Sequence, residues 1–131
     1  RHVRRLCKVK EEYKLTKAEL DQLKKHADLD RVTEALREEK IIDKKATLET
    51  IPFYRPKKSA DCEDGYAGRV GIHEIMTMSP TIKDLVMKSA TSDKIEEQAR
   101  KEGMLTMLED GIFKAAQGHT TIEEVLRVVS E

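Results

Sequence analysis

The sequence predicts a mainly α protein with minor β: a small helical insert lobe plus a C-terminal helical bundle, joined by a short strand. Three observations carry that expectation. Helix-start signatures recur along the chain, Thr16 with Glu19, Ser79 with Pro80 and Thr120 with Glu123; each supplies an acceptor, or a nitrogen without a proton, where a helix leaves its first N–H groups unpaired. Strand-like sequence is concentrated in one glycine-bearing run, Gly68 to Ile72, in which Val70 and Ile72 point the same way. Aromatic residues are only 4% of the 131 positions, with no Trp, so the core has to come from Leu, Ile, Val, Met and Ala on helices.

Taken in order, residues 1–10, "RHVRRLCKVK", hold five basic residues and no acidic one. They read as the last turns of a helix whose Val3, Leu6 and Cys7 face inward while the arginines offset the carboxyl end of its dipole. As a nucleic-acid stripe the segment lacks aromatic interleaving and glycine turns. From Thr16 a helix carries Leu20, Leu23 and Ala27 on one face, and after a break at "HADLD" a second runs from near Asp28 through Val32, Ala35 and Leu36 toward Lys40,. His26, alone at a helix end, reads as a solvent-facing residue. Pro52, Pro56, Gly65 and Gly68 then mark a loop-rich region in which "FYR" forms a short extended piece,.

After the Gly68–Ile72 strand everything reads as helix. Ser79 and Pro80 start one with Ile82, Leu85, Val86 and Met87 on its buried side. Another runs from about Asp93 through Ile95 and Ala99 to Gly103; a third carries Leu105, Leu108, Ile112 and Ala115 and closes at Gly118; the last carries Ile122, Val125, Leu126 and Val129,. Gly111 inside the third of these costs about 1 kcal/mol against alanine, which predicts a tight helix contact there. Methionines 76, 78, 87, 104 and 107 serve either as core fillers or as an adaptable docking surface,. The domain reading is 1–14, end of a core helix and a first knuckle; 15–67, charged helical insert and second knuckle; 68–131, returning strand and helical domain.

Composition excludes several functions. The 25 basic and 25 acidic residues cancel, so no net field recruits nucleic acid or a membrane. Two cysteines and no apolar run near 18 residues point to a reducing, cytoplasmic setting. A first residue of Arg rather than Met is expected of an excised piece. No G-x-x-x-x-G-K-S/T occurs, "IHEI" offers only His73 and Glu74 on opposite faces of a strand, and neither Cys7 nor Cys62 has a histidine placed to activate it,. No catalytic or cofactor-binding residue is therefore predicted.

Metal binding is weighed on two half-knuckles. "CKVK" has Lys10 where a C-x-x-C pair needs its second cysteine, and "SADC" has Ser59 at the first. A charged ammonium cannot ligate and a serine hydroxyl is a poor zinc donor, so Cys7 and Cys62 would need Asp61, Glu63 or a histidine to complete a mixed site. A Cys7–Cys62 disulfide is the other option, disfavoured in a reducing compartment.

What surrounds the half-knuckles carries a resemblance. "RHVRRLC", then C-x-x-G-Y-x-G-R-x-G-I-x-E-I, then "ARKEGMLTMLEDGIFKAAQGHTTIEEVLRVVSE" closely resembles the carboxyl-terminal part of the type II secretion and type IV pilus assembly ATPases. The match runs over essentially the whole chain. It implies a hexameric cytoplasmic motor, peripheral at the inner membrane beneath a platform protein, with ATP and Mg bound in a RecA-like core ahead of Arg1 and none of that chemistry in this stretch. Arg1, Arg4, Arg5 and Arg69 are then expected to contact the core or a neighbouring subunit. Lys10 and Ser59 depart from the family's tetracysteine pattern, so Cys62 resembles a remnant of that site, zinc is not expected, and the insert helices stand in for it. Retraction motors of the superfamily typically lack this lobe, which favours assembly or secretion. The rival reading is a stand-alone helical adaptor without enzymatic activity, binding a partner through the insert helices or the methionine-bearing face.

Overall fold

In the computed structural model, which describes residues 1–74 and 76–130, the first element is a strand, β1 (His2–Leu6), and not the tail of a helix. It runs antiparallel to β4 (Tyr66–Gly71), with Val3 opposite Val70 and Leu6 opposite Tyr66. A register irregularity between Arg4 and Leu6 explains the misreading. It breaks the two-residue alternation of a strand, so the buried Val3 and Leu6 fall three residues apart, the spacing of a helix face.

A second ribbon pairs β2 (Lys10–Tyr13) with β3 (Phe53–Pro56), Tyr13 opposite Phe53 and Lys10 opposite Pro56. The "FYR" piece is extended as predicted. Its partner "KEEY" gives no apolar alternation to announce it; Arg55 stacked 4.0 Å over the Tyr13 ring helps hold the pair,. Between these strands stand α1 (Lys17–Lys24), opened by the Thr16–Glu19 capping box, and α2 (Leu29–Glu38), whose cap Asp28 accepts from Arg31 N. Four helices follow β4: α3 (Pro80–Met87), α4 (Ser92–Lys101), α5 (Met107–Ala116) and α6 (Ile122–Val129).

The mainly α composition with minor β is as predicted. One hydrophobic cluster runs through both the insert and the last two helices, taking in Leu20, Leu36, Phe53, Ile72, Ile112 and Val125, with α2 packed on α5 and α5 on α6. The α3–α4 pair lies apart from it: Ile82 and Ala99 are buried, but outside that cluster. Of the apolar side predicted for α3, Ile82 is buried, whereas Val86 is 47% and Met87 85% exposed. A two-turn helix packed chiefly on α4 has only one side covered.

Two details place the site. Thr121, not Thr120, caps α6 and accepts from Glu124 N at 3.1 Å; the Thr120 hydroxyl instead donates to Arg4 O at 2.8 Å. And the contact predicted at Gly111 is present: a Cβ there would sit 2.3 Å from Val125 Cγ1, so α6 lies directly on the α5 backbone.

Candidate functional site

The pairing of β1 with β4 brings the two half-knuckles together. Cys7 follows β1, Cys62 precedes β4, and the two are joined as a disulfide with Cα atoms 6.7 Å apart. The compartment argument disfavoured this bond; the strand register supplies it. The backbone fixes each side: Cys7 N donates to Gly65 O at 3.0 Å, and Ser59 and Cys62 exchange N–H···O bonds of 2.9 and 3.2 Å. Gly65 has φ +82°, and a Cβ on it would lie 2.5 Å from Pro56 Cβ, so only glycine lets the second knuckle fold this closely onto β3.

This donor set does not fit a tetrahedral zinc. Both sulfurs are spent on each other, the Lys10 ammonium donates to Gly118 O at 2.8 Å and sits 4.8 Å over the Tyr54 ring, and Ser59 is engaged through its backbone. Among the described residues no three His, Cys, Asp or Glu side chains converge in a way that could hold a metal ion,. Lys10, standing where a ligand would be, instead satisfies a carbonyl just past the end of α5.

The four predicted arginines separate into two pairs. Arg4 donates from its backbone N and from Nη2 to the two oxygens of Glu124, both at 2.9 Å, and its guanidinium lies 4.2 Å over the Tyr66 ring. Arg127 reaches the same carboxylate at 3.1 and 3.0 Å, while Tyr66 Oη and Thr121 Oγ1 share a hydrogen bond of 3.0 Å. Glu124 is 3% exposed in its side chain. Burial alone would push its pKa up, but the hydrogen bonds from Arg127 and Arg4 outweigh it and bring it down to about 2,. The same bond to Glu124 raises the pKa of Arg4. Arg1 Nη1 donates to Val128 O at 2.5 Å, at the end of α6. Arg1 and Arg4 thus clamp α6 onto β1 within the chain. Arg5 and Arg69 are exposed, and neither has an ion-pair partner among the described residues.

A second buried carboxylate, Glu109, does for the insert what Glu124 does for β1. It accepts from Asp28 N at 2.7 Å and Thr106 N at 2.9 Å and lies 3.6 Å from Arg31 Nη2. Sequence reasoning missed both roles, although the signal was there: Thr106-x-x-Glu109 and Thr121-x-x-Glu124 each have the spacing of a helix start. His73 and Glu74 do not act together; His73 N donates to Asp110 Oδ2 and Glu74 Oε1 accepts from Met107 N. His26 is exposed. His119, beside the cap of α6, has its pKa lowered by burial and by the nearby charges of Arg5, Lys10 and Lys114.

The chemistry assembled here is that of a clamp. Buried acids are matched to arginines and backbone donors, and the two knuckles are bonded covalently. Such an arrangement holds the knuckles, β1 and α6 in one packed unit. The model of the type II/IV secretion system protein family matches residues 1–127, and the chain belongs to that family. It is 49% identical over 81 residues to type II secretion system protein E of Xanthomonas campestris pv. campestris, covering 62% of this chain and 14% of that protein. It is 42% identical over 82 residues to the type IV pilus assembly ATPase PilB of Pseudomonas aeruginosa, covering 63% and 14% respectively. The protein transport protein HofB homolog of Escherichia coli K12 is 32% identical over 79 residues, or 60% of this chain and 17% of that protein. The chain thus spans about one seventh of the length of the first two relatives. Among the described residues no helix is long and apolar enough to cross a membrane.

Proposed function

We propose that the chain is the C-terminal domain of a hexameric ATPase that powers type IV pilus assembly or type II secretion. In this reading ATP and Mg are bound by the rest of the protein, the assembly sits at the cytoplasmic face of the inner membrane against a platform protein, and nucleic acid is not a partner. The domain packs subunits and transmits force. Family membership and relatives with those names support the identity. The observation that carries the mechanical role is the Arg4–Glu124–Arg127 cluster, which ties β1 to α6 through a buried, ionised carboxylate. A displacement applied to β1 is passed to the helical end without slack, because separating these charges leaves Glu124 buried and unpaired. Arg5 and Arg69, directed outward, are the contacts offered to the core or a neighbouring subunit.

The test uses the full-length protein and this chain side by side. Full-length protein hydrolyses ATP and assembles as a hexamer, residues 1–131 alone do neither, and the R5E/R69E protein loses hexamer on size-exclusion chromatography with light scattering. ATP turnover by the isolated chain, or a full-length protein with no turnover at all, overturns the assignment. The exposed face of α3, with Val86 and Met87, favours the adaptor as a second reading; an isolated chain that captures a partner with the rest of the protein dispensable would select it.

A further inference from the structure

We propose that Cys7–Cys62 is a reversible redox latch on the knuckle, opened and closed by thiol–disulfide exchange with an anionic low-molecular-weight thiol of the glutathione class. The inference starts from the mismatch between the metal site that the half-knuckles suggest and the bond they form, and it stands independently of the ATPase reading.

Three features distinguish a latch from a static staple. First, the bond is the main tie of its segment. The chain leaves β3 at Pro56 and rejoins β4 at Tyr66; in between, the hydrogen bonds of Ser59 and Cys62 are to each other, and Arg4–Asp64 is a long, exposed pair of 3.8 Å. Removing the disulfide frees residues 57–63 from β1 while Cys7 N–Gly65 O and the β1–β4 ladder hold the strands in register. The sulfurs therefore stay close enough to re-form the bond.

Second, the reduced state is provided for. Cys62 Sγ lies 3.4 Å from Tyr66 O, a carbonyl to which a thiol donates as soon as it gains its proton. Cys62 is buried at 7% exposure, and a buried thiol without an acceptor would carry a penalty that this one avoids.

Third, access and charge select the reagent. Cys7 is half-buried whereas Cys62 is buried, and Arg5 and Lys8 lie close to Cys7 in sequence, both exposed, so an incoming thiol bearing carboxylates is drawn to this side. Cys62, between Asp61 and Glu63, is on the side that repels it. The external thiolate attacks Cys7 Sγ, the Cys7–Cys62 bond breaks, and Cys62 leaves as a thiolate that takes a proton. A second thiolate attacks the mixed disulfide at the small-molecule sulfur and releases Cys7, giving one molecule of external disulfide and two protein thiols. Two electrons pass from two external thiols to the cystine, and the reverse sequence closes the latch.

Amide hydrogen exchange on the full chain, in its oxidised form and after equilibration with reduced glutathione, reads the outcome. The amides of Ser59 and Cys62 should exchange about tenfold or more faster after reduction, those of α5 should not change, and glutathione disulfide should restore the slow rates. C7S/C62S should show the fast pattern with or without reductant, and oxidised R5A/K8A should be reduced severalfold more slowly by glutathione with little change in its rate with uncharged 2-mercaptoethanol. Identical exchange in the two redox states overturns the proposal. So does a bond that yields to glutathione only in denaturant, or a pair of cysteines still open to alkylation after treatment with glutathione disulfide.

Discussion

Replacing Gly111 by alanine sets two effects of known sign against each other. In an exposed helix the change gains about 1 kcal/mol. Here the new methyl would lie 2.3 Å from Val125 Cγ1, 2.9 Å from Cγ2 and 3.2 Å from Cβ. Val125 is fully buried and β-branched on a helix, where one χ1 state dominates, so it cannot swing aside; α5 and α6 must separate. Overpacking of this kind costs about 1–3 kcal/mol, occasionally more, and three short contacts with a rigid neighbour place this case at or above the upper end. The net expectation is a loss of about 2 kcal/mol. With an unfolding entropy of about 2.1 cal/mol/K per residue over 131 residues, that lowers Tm by about 7 °C, a shift that calorimetry resolves. V125A in the same background makes room for the methyl, so G111A/V125A should be more stable than the two single changes summed by about 1 kcal/mol or more. A G111A protein with an unchanged or higher Tm, or strict additivity in the double variant, refutes the close contact and with it the packing of α6 on α5.

The acid limb of stability should belong largely to Glu124. Its pKa of about 2 in the folded protein, against about 4.3 unfolded, means that its ionised form contributes fully above about pH 4.5 and is lost as pH falls toward 2. That is worth about 3 kcal/mol: urea midpoints measured at neutral and acid pH should converge for wild type and E124Q, and an E124Q protein with the wild-type acid slope would show that the clamp is not the titrating element. E109A should remove the acceptor shared by Asp28 N and Thr106 N and lower stability by about 2–3 kcal/mol; the expected signature is faster exchange of the Asp28 amide, and its continued protection would assign the link between insert and α5 to apolar packing instead. Elemental analysis of purified protein should find no stoichiometric zinc, and one equivalent retained through dialysis would contradict the donor set described for the knuckle.

How much of this was legible in the sequence depends on whether a signal was local. The starts of α1 and α3 follow from side chains within three residues of the cap, Thr16 with Glu19 and Ser79 with Ile82 N, and could be read directly. Gly111 was legible for a related reason: a residue that costs helix stability needs a neighbour to justify it, and Val125 is that neighbour. β1 was not, because its bulge gives a strand the apolar spacing of a helix, and β2 was not, because its sequence is charged and its pairing with β3 is set some 40 residues away. The roles of Glu109 and Glu124 were half visible. Their spacing from Thr106 and Thr121 marks helix starts, but that each also serves a partner far along the chain, Asp28 and Arg4, depends on packing that no local pattern carries. The disulfide was weighed against on the chemistry of a compartment, whereas what decides it is the register of two strands.

The closure of β1 has a consequence for how the protein is made. Leu6 N donates to His119 O and Arg4 pairs with a carboxylate 120 positions later, so β1 is completed only when a helix translated well after it has been made. At about 5–20 residues per second, a ribosome takes on the order of 6–24 s to deliver that helix. Throughout this interval Val3 and Leu6 lack their final cover, and an unfinished strand edge is a template for wrong partners. Folding yield in cells should therefore respond to chaperone supply during translation far more than the stability of the finished protein would suggest.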